Sequence, residues 1–264
     1  MSKFTVSSLQ KFKNEHQKFG TITAYDAAFA KIFDDCGVPA ILIGDSLGMV
    51  IQGRSGTIGV TLEEMAYHTR CVASTARNSL IIADMPFMSY YNVDEACRNA
   101  AKLMEAGAAV VKMEGGAWLC PAIRTLVNNG IPVCAHLGLT PQSVNVFGGF
   151  KIQGRSEDQA RRLLEDALAV QDAGACSMVL ECIPAKLAGN ITEKVAIPTI
   201  GIGAGKDTDG QILVMHDAFG LTPGHTPKFA RNFLSEAGSF KAAVELYLRE
   251  VSEGKFPNDE QSFH

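Results

Sequence analysis

Asp45, Asp84 and Glu114 each follow closely on a short apolar run. If those runs are neighbouring strands, the three carboxylates converge on one small region and repel one another unless a cation lies among them. Ligation by oxygen alone suits a hard ion, Mg²⁺ first and Mn²⁺ second, and no His-rich triad supports zinc. Any one of these carboxylates is as well explained by capping a following helix or pairing with an arginine; three at successive strand ends favour the metal. Lys112 stands two residues before Glu114, so on a strand the two share a face. The lysine is then placed for an anionic substrate, with a salt bridge to Glu114 or Asp84 as the plainer alternative and nothing favouring a Schiff base. Glu181 leaves the apolar run Met178–Leu180 ahead of Cys182, Ile183 and Pro184, a setting that suits a general base. A helix cap or an ion-pair partner explains it equally well. His136, after Val133–Ala135, reads as an orienting or proton-transfer group, or as a satisfied core histidine.

These residues need a scaffold that presents many strand ends at one mouth. Eight short β-branched or apolar runs alternate with segments of helical period: Thr21–Ala24, Ala40–Ile43, Leu80–Ala83, Ala109–Met113, Val133–Ala135, Ser177–Leu180, Pro198–Ile202 and Ile212–Met215. Near-continuous apolarity predicts parallel strands covered by helices. The helices between them carry end signals, from Asp94 to Gly107 and from Ser156 to Gly174. Eight such units in this length predict a single (β/α)8 TIM barrel, with an open doubly wound sheet as the alternative. The polar positions at the strand ends are Tyr25 with Asp26, Asp45 with Ser46, Asp84, Lys112 with Glu114, His136, Glu181, and His216 with Asp217. Glycines 201, 203 and 205 after the seventh run read as a phosphate-binding turn or simply as a tight one.

Composition narrows the classes. With 264 residues, 47% hydrophobic and 20% charged, the chain has material for one large core, so one domain over 1–264 is expected. Residues 228–251 read as a closing helix or pair of helices, and residues 254–264 as a loosely held polar tail. A net charge of −4 without a Lys/Arg cluster argues against nucleic acid. No apolar leader or run of about 18 uncharged apolar residues appears, so neither export nor a membrane span is expected. Seven cysteines without C-x-x-C spacing fit reduced thiols in a cytoplasm.

The segments Ile43-Gly-Asp-Ser-Leu-Gly48, Ala83-Asp-Met-Pro-Phe87, Val111-Lys-Met-Glu-Gly115, Ala135-His-Leu-Gly-Leu-Thr-Pro-Gln142, Leu180-Glu-Cys-Ile-Pro184 and Ile200-Gly-Ile-Gly-Ala-Gly205 resemble the ketopantoate hydroxymethyltransferase family. The resemblance covers nearly the whole chain. It implies a barrel of the phosphoenolpyruvate/pyruvate-binding type, a cytoplasmic homodecamer, and transfer of a one-carbon unit from 5,10-methylenetetrahydrofolate to 3-methyl-2-oxobutanoate, giving 2-dehydropantoate. It further implies that Asp45, Asp84 and Glu114 belong to a Mg²⁺ site, directly or through water. Ser46, Asp84 and Lys112 would contact the oxo acid, Glu181 would accept the proton, and His136 would lie close by; no residue is implied for the folate. The rival within the same broad fold is a Mg²⁺-dependent carbon–carbon lyase or phosphonomutase. Such lyases offer a reactive cysteine in a mid-chain loop, and no corresponding motif is found.

Overall fold

The computed structural model describes residues 3–224 and 226–264. Eight parallel strands form a closed barrel in chain order: β1 (Phe19–Thr23), β2 (Ala40–Ile43), β3 (Leu80–Asp84), β4 (Val110–Glu114), β5 (Val133–Gly138), β6 (Ser177–Glu181), β7 (Thr199–Ile202) and β8 (Gly210–Leu213). The barrel closes where β1 pairs with β8, Phe19 opposite Gly210. Helix α1 (Val6–Asn14) precedes the barrel, and α2 (Ala27–Asp35), α3 (Leu62–Ala73), α4 (Val93–Glu105), α5 (Cys120–Asn128), α6 (Glu157–Asp172) and α7 (Ala185–Lys194) cross between successive strands. After β8 comes α8 (Phe240–Ser252), preceded by a single 3₁₀ turn at Phe233–Ser235. No described helix is long and apolar enough to cross a membrane.

Alternation along each strand decides which residues face inward. Leu42, Ile82, Val110, Cys134, Val179, Ile200 and Ile212 pack together inside the barrel, while Ile41, Ile43, Ile81, Ala83, Val111, Met113, Ala135 and Leu180 pack outward under the helices. Counting in twos from the interior residues carries Ile82 to Asp84, Val110 to Lys112 and Glu114, Cys134 to His136, and Val179 to Glu181. The polar cluster is therefore the top layer of the same interior stack, at the C-terminal ends of the strands. The opposite mouth is stopped by α1, whose Leu9 is buried and whose Phe12 stacks on Phe19 at 5.3 Å.

Three features differ from the expectations. No helix separates β7 from β8; residues 203–209 return directly, held by Asp209, which accepts from Thr199 N–H and the Lys13 ammonium, both at 2.8 Å. Helix α4 begins two residues earlier than Asp94 suggests, because Asn92 caps it by accepting from Glu95 N–H. The C-terminal segment is not loose. Phe256 is buried against Phe233 and Tyr247, Ser262 is 4% exposed, and the Phe263 carbonyl accepts from Ala185 N–H at 2.8 Å. Two aromatic anchors dock a segment whose average composition is polar.

Candidate active site

Pairing register brings the charged residues together. Asp84 lies opposite Lys112 across β3 and β4, and Glu114 opposite His136 across β4 and β5. The Lys112 ammonium sits 2.6 Å from Asp84 Oδ1 and 3.9 Å from Glu114 Oε1, with both partners buried. His136 Nδ1 lies 3.2 Å from Glu114 Oε1. Its Nε2 comes within 3.1 Å of Glu181 Oε2 but without hydrogen-bond geometry. Asp45 is carried past the end of β2 on a tight turn, where its backbone N–H donates to Asp84 Oδ2 at 3.0 Å. A Cβ at Gly44 would lie 2.7 Å from Ser46 Oγ, so a side chain there would displace the serine hydroxyl. Ser46 shares a 2.8 Å hydrogen bond with Tyr25 Oη. Glu181 is followed by Cys182 in a left-handed conformation, φ 47°, fixed by Cys182 N–H donating to Ile202 O and Leu139 N–H to Glu181 O. Its carboxylate is thereby more open, at 15% exposure, than those of Asp84 and Glu114 at 4% and 3%.

The electrostatics follow from four carboxylates sharing one enclosure with two cations. Burial opposes a charged Lys112, yet Asp84, Glu114 and Asp45 outweigh it and hold the ammonium protonated. That works against a Schiff base, which needs the free amine. Burial and Lys112 likewise oppose a charged His136, but Glu114 and Glu181 push it up to about 9. Glu114 is disfavoured by burial but is held charged by His136, Lys112 and Gln142 N–H. Asp45 is the exception. Burial, Asp84 and Glu114 together push its carboxyl well above the usual range, with only Lys112 and Gln142 opposing them. A buried carboxyl so placed wants either a proton or a further cation, and a hard divalent ion fits this oxygen donor set.

The cluster does not form a ready-made cage: no group of three His, Cys, Asp or Glu side chains among the described residues is disposed to hold a metal ion. Both Glu114 oxygens are engaged, Oε1 with His136 and Oε2 with Gln142 N–H at 3.0 Å, and both Asp84 oxygens likewise, with Lys112 and with Asp45 N–H.

Above the cluster opens a cavity of about 640 Å³. Asp45, Ser46, Asp84, Lys112, Glu114, His136 and Glu181 all line it, and Met49, Phe150, Ile152, Pro227, Phe229 and Phe263 form its apolar side. The other strand-end positions do different work. Asp26 caps α2 by accepting from Ala28 and Phe29 N–H, and Asp217 accepts from Thr222 at 2.5 Å, away from the cavity lining. Glycines 203 and 205 serve close packing: a Cβ on Gly203 would lie 2.9 Å from Phe229 and 3.1 Å from Phe263, and one on Gly205 2.4 Å from Ala185. Sequence reasoning missed Tyr90 and the apolar wall, and gave Gln142 no role although it closes one of the quoted segments.

A barrel with buried carboxylates, a charged lysine and a more open carboxylate at one mouth defines a TIM-barrel enzyme acting on a small molecule. Within that class the chain belongs to the ketopantoate hydroxymethyltransferase family, whose model matches residues 3–259. It is 63% identical over 263 residues to 3-methyl-2-oxobutanoate hydroxymethyltransferase of Colwellia psychrerythraea and 61% identical over 264 residues to that of Aeromonas salmonicida, with both chains fully covered in each case. A Salmonella newport relative of the same name is 58% identical over the full length of both. Among solved structures, a phosphonopyruvate hydrolase superposes with a TM-score of 0.64 at 14% identity, covering 84% of each chain. A 2,3-dimethylmalate lyase of the PEP mutase/isocitrate lyase superfamily does so at 0.58 and 17%, covering 82% of each. These two share the fold. Burial pushes up the Cys134, Cys176 and Cys182 thiols, which holds these three away from the reactive thiolate.

Proposed function

We propose that this chain transfers a hydroxymethyl group from 5,10-methylenetetrahydrofolate to 3-methyl-2-oxobutanoate, giving 2-dehydropantoate, as a cytoplasmic homodecamer of single barrel domains. The observation that carries the reading is the sharing of one cavity by two groups: the buried Asp45–Asp84–Lys112 cluster and the more open carboxylate of Glu181. Asp45, Asp84 and Glu114 would hold Mg²⁺, directly or through water; both oxygens of Asp84 and of Glu114 already face protein donors, whereas Asp45 accepts a side-chain hydrogen bond on Oδ2 alone among the described residues. When bound, the ion acts as a Lewis acid on the carboxylate and keto oxygens of the oxo acid.

The chain's own residues do the rest. Ser46 and Lys112 bind the substrate oxygens, and the lysine's fixed positive charge favours negative charge developing there. Glu181 takes the proton from C3, and the positive charge of His136 stands 3.1 Å from its carboxylate. One water adds to the methylene carbon of the folate and both of its C–N bonds break, leaving tetrahydrofolate and a formaldehyde-level carbon; C3 attacks that carbon, the proton held by Glu181 passes to the new alkoxide, and the apolar wall limits the access of further water to C3.

Proton exchange at C3 tests the reading apart from transfer. The wild type with Mg²⁺ and oxo acid, and no folate, should exchange the C3 hydrogen for deuterium. Glu181→Gln should bind Mg²⁺ and oxo acid as before and lose exchange by at least about a hundredfold, the usual scale for general base catalysis. Undiminished exchange would remove Glu181 as the base.

A further inference from the structure

Every polar atom of the Gln142 side chain is engaged. Its amide nitrogen donates to Asp45 Oδ2 and to the Met85 carbonyl, both at 2.9 Å, and its amide oxygen accepts from the Tyr90 hydroxyl at 2.5 Å. Its backbone N–H donates to Glu114 Oε2 at 3.0 Å. The amide orientation follows from its partners, because two acceptors require the NH₂ end and the hydroxyl then meets the oxygen. The Tyr90 hydroxyl, its proton spent on Gln142, accepts from Glu114 N–H at 3.3 Å. Gln142 and Tyr90 are each 6% exposed. One residue thus touches two carboxylates that stem from different strands, and a tyrosine fixes which way round it sits.

Asp45 has a particular need of such a partner. Asp84 and Glu114 repel it, it stands on a turn beyond its strand, and Gln142 is the side chain that donates to its carboxylate among the described residues. We infer that Gln142, oriented by Tyr90, is a positioning residue that sets the Asp45 and Glu114 carboxylates relative to each other for a divalent cation. The inference rests on the cation reading above and assigns a duty to two residues outside that set. Partners of this kind around metal ligands typically carry ten- to hundredfold in affinity.

The experiment measures Mn²⁺ binding to the metal-free, full-length protein by electron paramagnetic resonance of the free ion. It compares wild type, Gln142→Ala, Tyr90→Phe and the double variant, and follows C3 exchange at limiting and saturating Mn²⁺. Gln142→Ala should weaken Mn²⁺ about tenfold or more, with exchange depressed at limiting Mn²⁺ and largely recovered at saturation. Tyr90→Phe keeps a ring that stacks on Trp118 at 6.2 Å. It should weaken Mn²⁺ by a smaller factor and add nothing in the Gln142→Ala background. Unchanged Mn²⁺ affinity in both single variants, alongside a lowered melting temperature, overturns the inference alone and makes Gln142 a structural tie. Additive effects in the double variant overturn the orienting role of Tyr90. A wild type that exchanges C3 without binding Mn²⁺ overturns the cation reading and the inference together.

Discussion

The Lys112 ammonium has three protons to place. Asp84 Oδ1 at 2.6 Å takes one, whereas Glu114 Oε1 at 3.9 Å is beyond hydrogen-bond reach, so donors remain for the cavity that the residue lines. Counter-ion and substrate-binding duties are therefore compatible in one side chain, and only a variant separates them. Lys112→Ala leaves the Asp84 carboxylate buried without its cation, which should cost about 3–5 kcal/mol of stability. If the free protons also reach the oxo acid, affinity should fall about ten- to a hundredfold as one charge-assisted contact is lost. Titration calorimetry at saturating Mg²⁺ reads the second effect, and a loss confined to the melting temperature would leave Lys112 a counter-ion only. The seven charged and polar residues of the cavity floor were legible in the sequence because each lies at or just past the end of an apolar run, and two-residue alternation fixes the face of Asp84, Lys112, Glu114, His136 and Glu181. Gln142 and Tyr90 were not, because they reach the site from loops whose path no periodicity encodes, and an uncharged amide gives no signal until its neighbours are known.

Element boundaries were legible to within a few residues, and the errors share one cause. An apolar criterion ended three strands just before Asp84, Glu114 and Glu181, yet each of these is the last residue of its strand and pairs in the ladder. Similarly, β8 begins at Gly210 and Gln211, which carry no apolar mark. Asp34 shows how an element is fastened by a residue the sequence did not flag. Near the end of α2, its carboxylate accepts from the N–H groups of Arg77, Asn78 and Ser79, where the chain enters β3, as well as from the Asn78 amide and the Ser79 hydroxyl. Burial alone would raise this carboxyl, but those hydrogen bonds outweigh it and hold the pKa below the usual range. A depressed folded-state pKa means stability fully present above the unfolded value of about 4 and lost as pH falls through the folded value. Asp34→Ala, which strands three amides, should therefore cost about 2–4 kcal/mol at pH 7. The gap between wild type and variant should narrow as the pH is lowered below about 4; denaturant titrations at both ends check this, and a gap independent of pH would sink the argument.

At the scale of the molecule, assembly and closure draw on different surfaces. A barrel of this size is viable alone, so the proposed decamer would draw on exposed apolar residues such as Tyr67, Met88, Tyr91, Trp118 and Val146; light scattering that finds only a 28.3 kDa particle at micromolar concentration would contradict it. Closure depends on the C-terminal segment. Phe263 and Phe229 fit above Gly203, where a Cβ would strike both rings, and the Lys228 ammonium lies 5.3 Å from the Phe263 ring while donating to Ser262 O at 2.9 Å. Phe263, near the C-terminal end, thus lines the same cavity as the charged floor. Composition hid this because polar residues outnumber the two phenylalanines that do the anchoring. Opening that wall should admit water and weaken every interaction of the floor with the substrate, since charges act more strongly where the dielectric is low. Phe263→Ala should slow C3 exchange about tenfold, equivalent to about 1.4 kcal/mol in the barrier. The melting temperature should move by only a few degrees, because Phe256 remains packed on Phe233 and Tyr247 and the barrel interior is untouched. If exchange instead stays at the wild-type rate, the aromatic wall is passive cover and the floor residues alone set the chemistry.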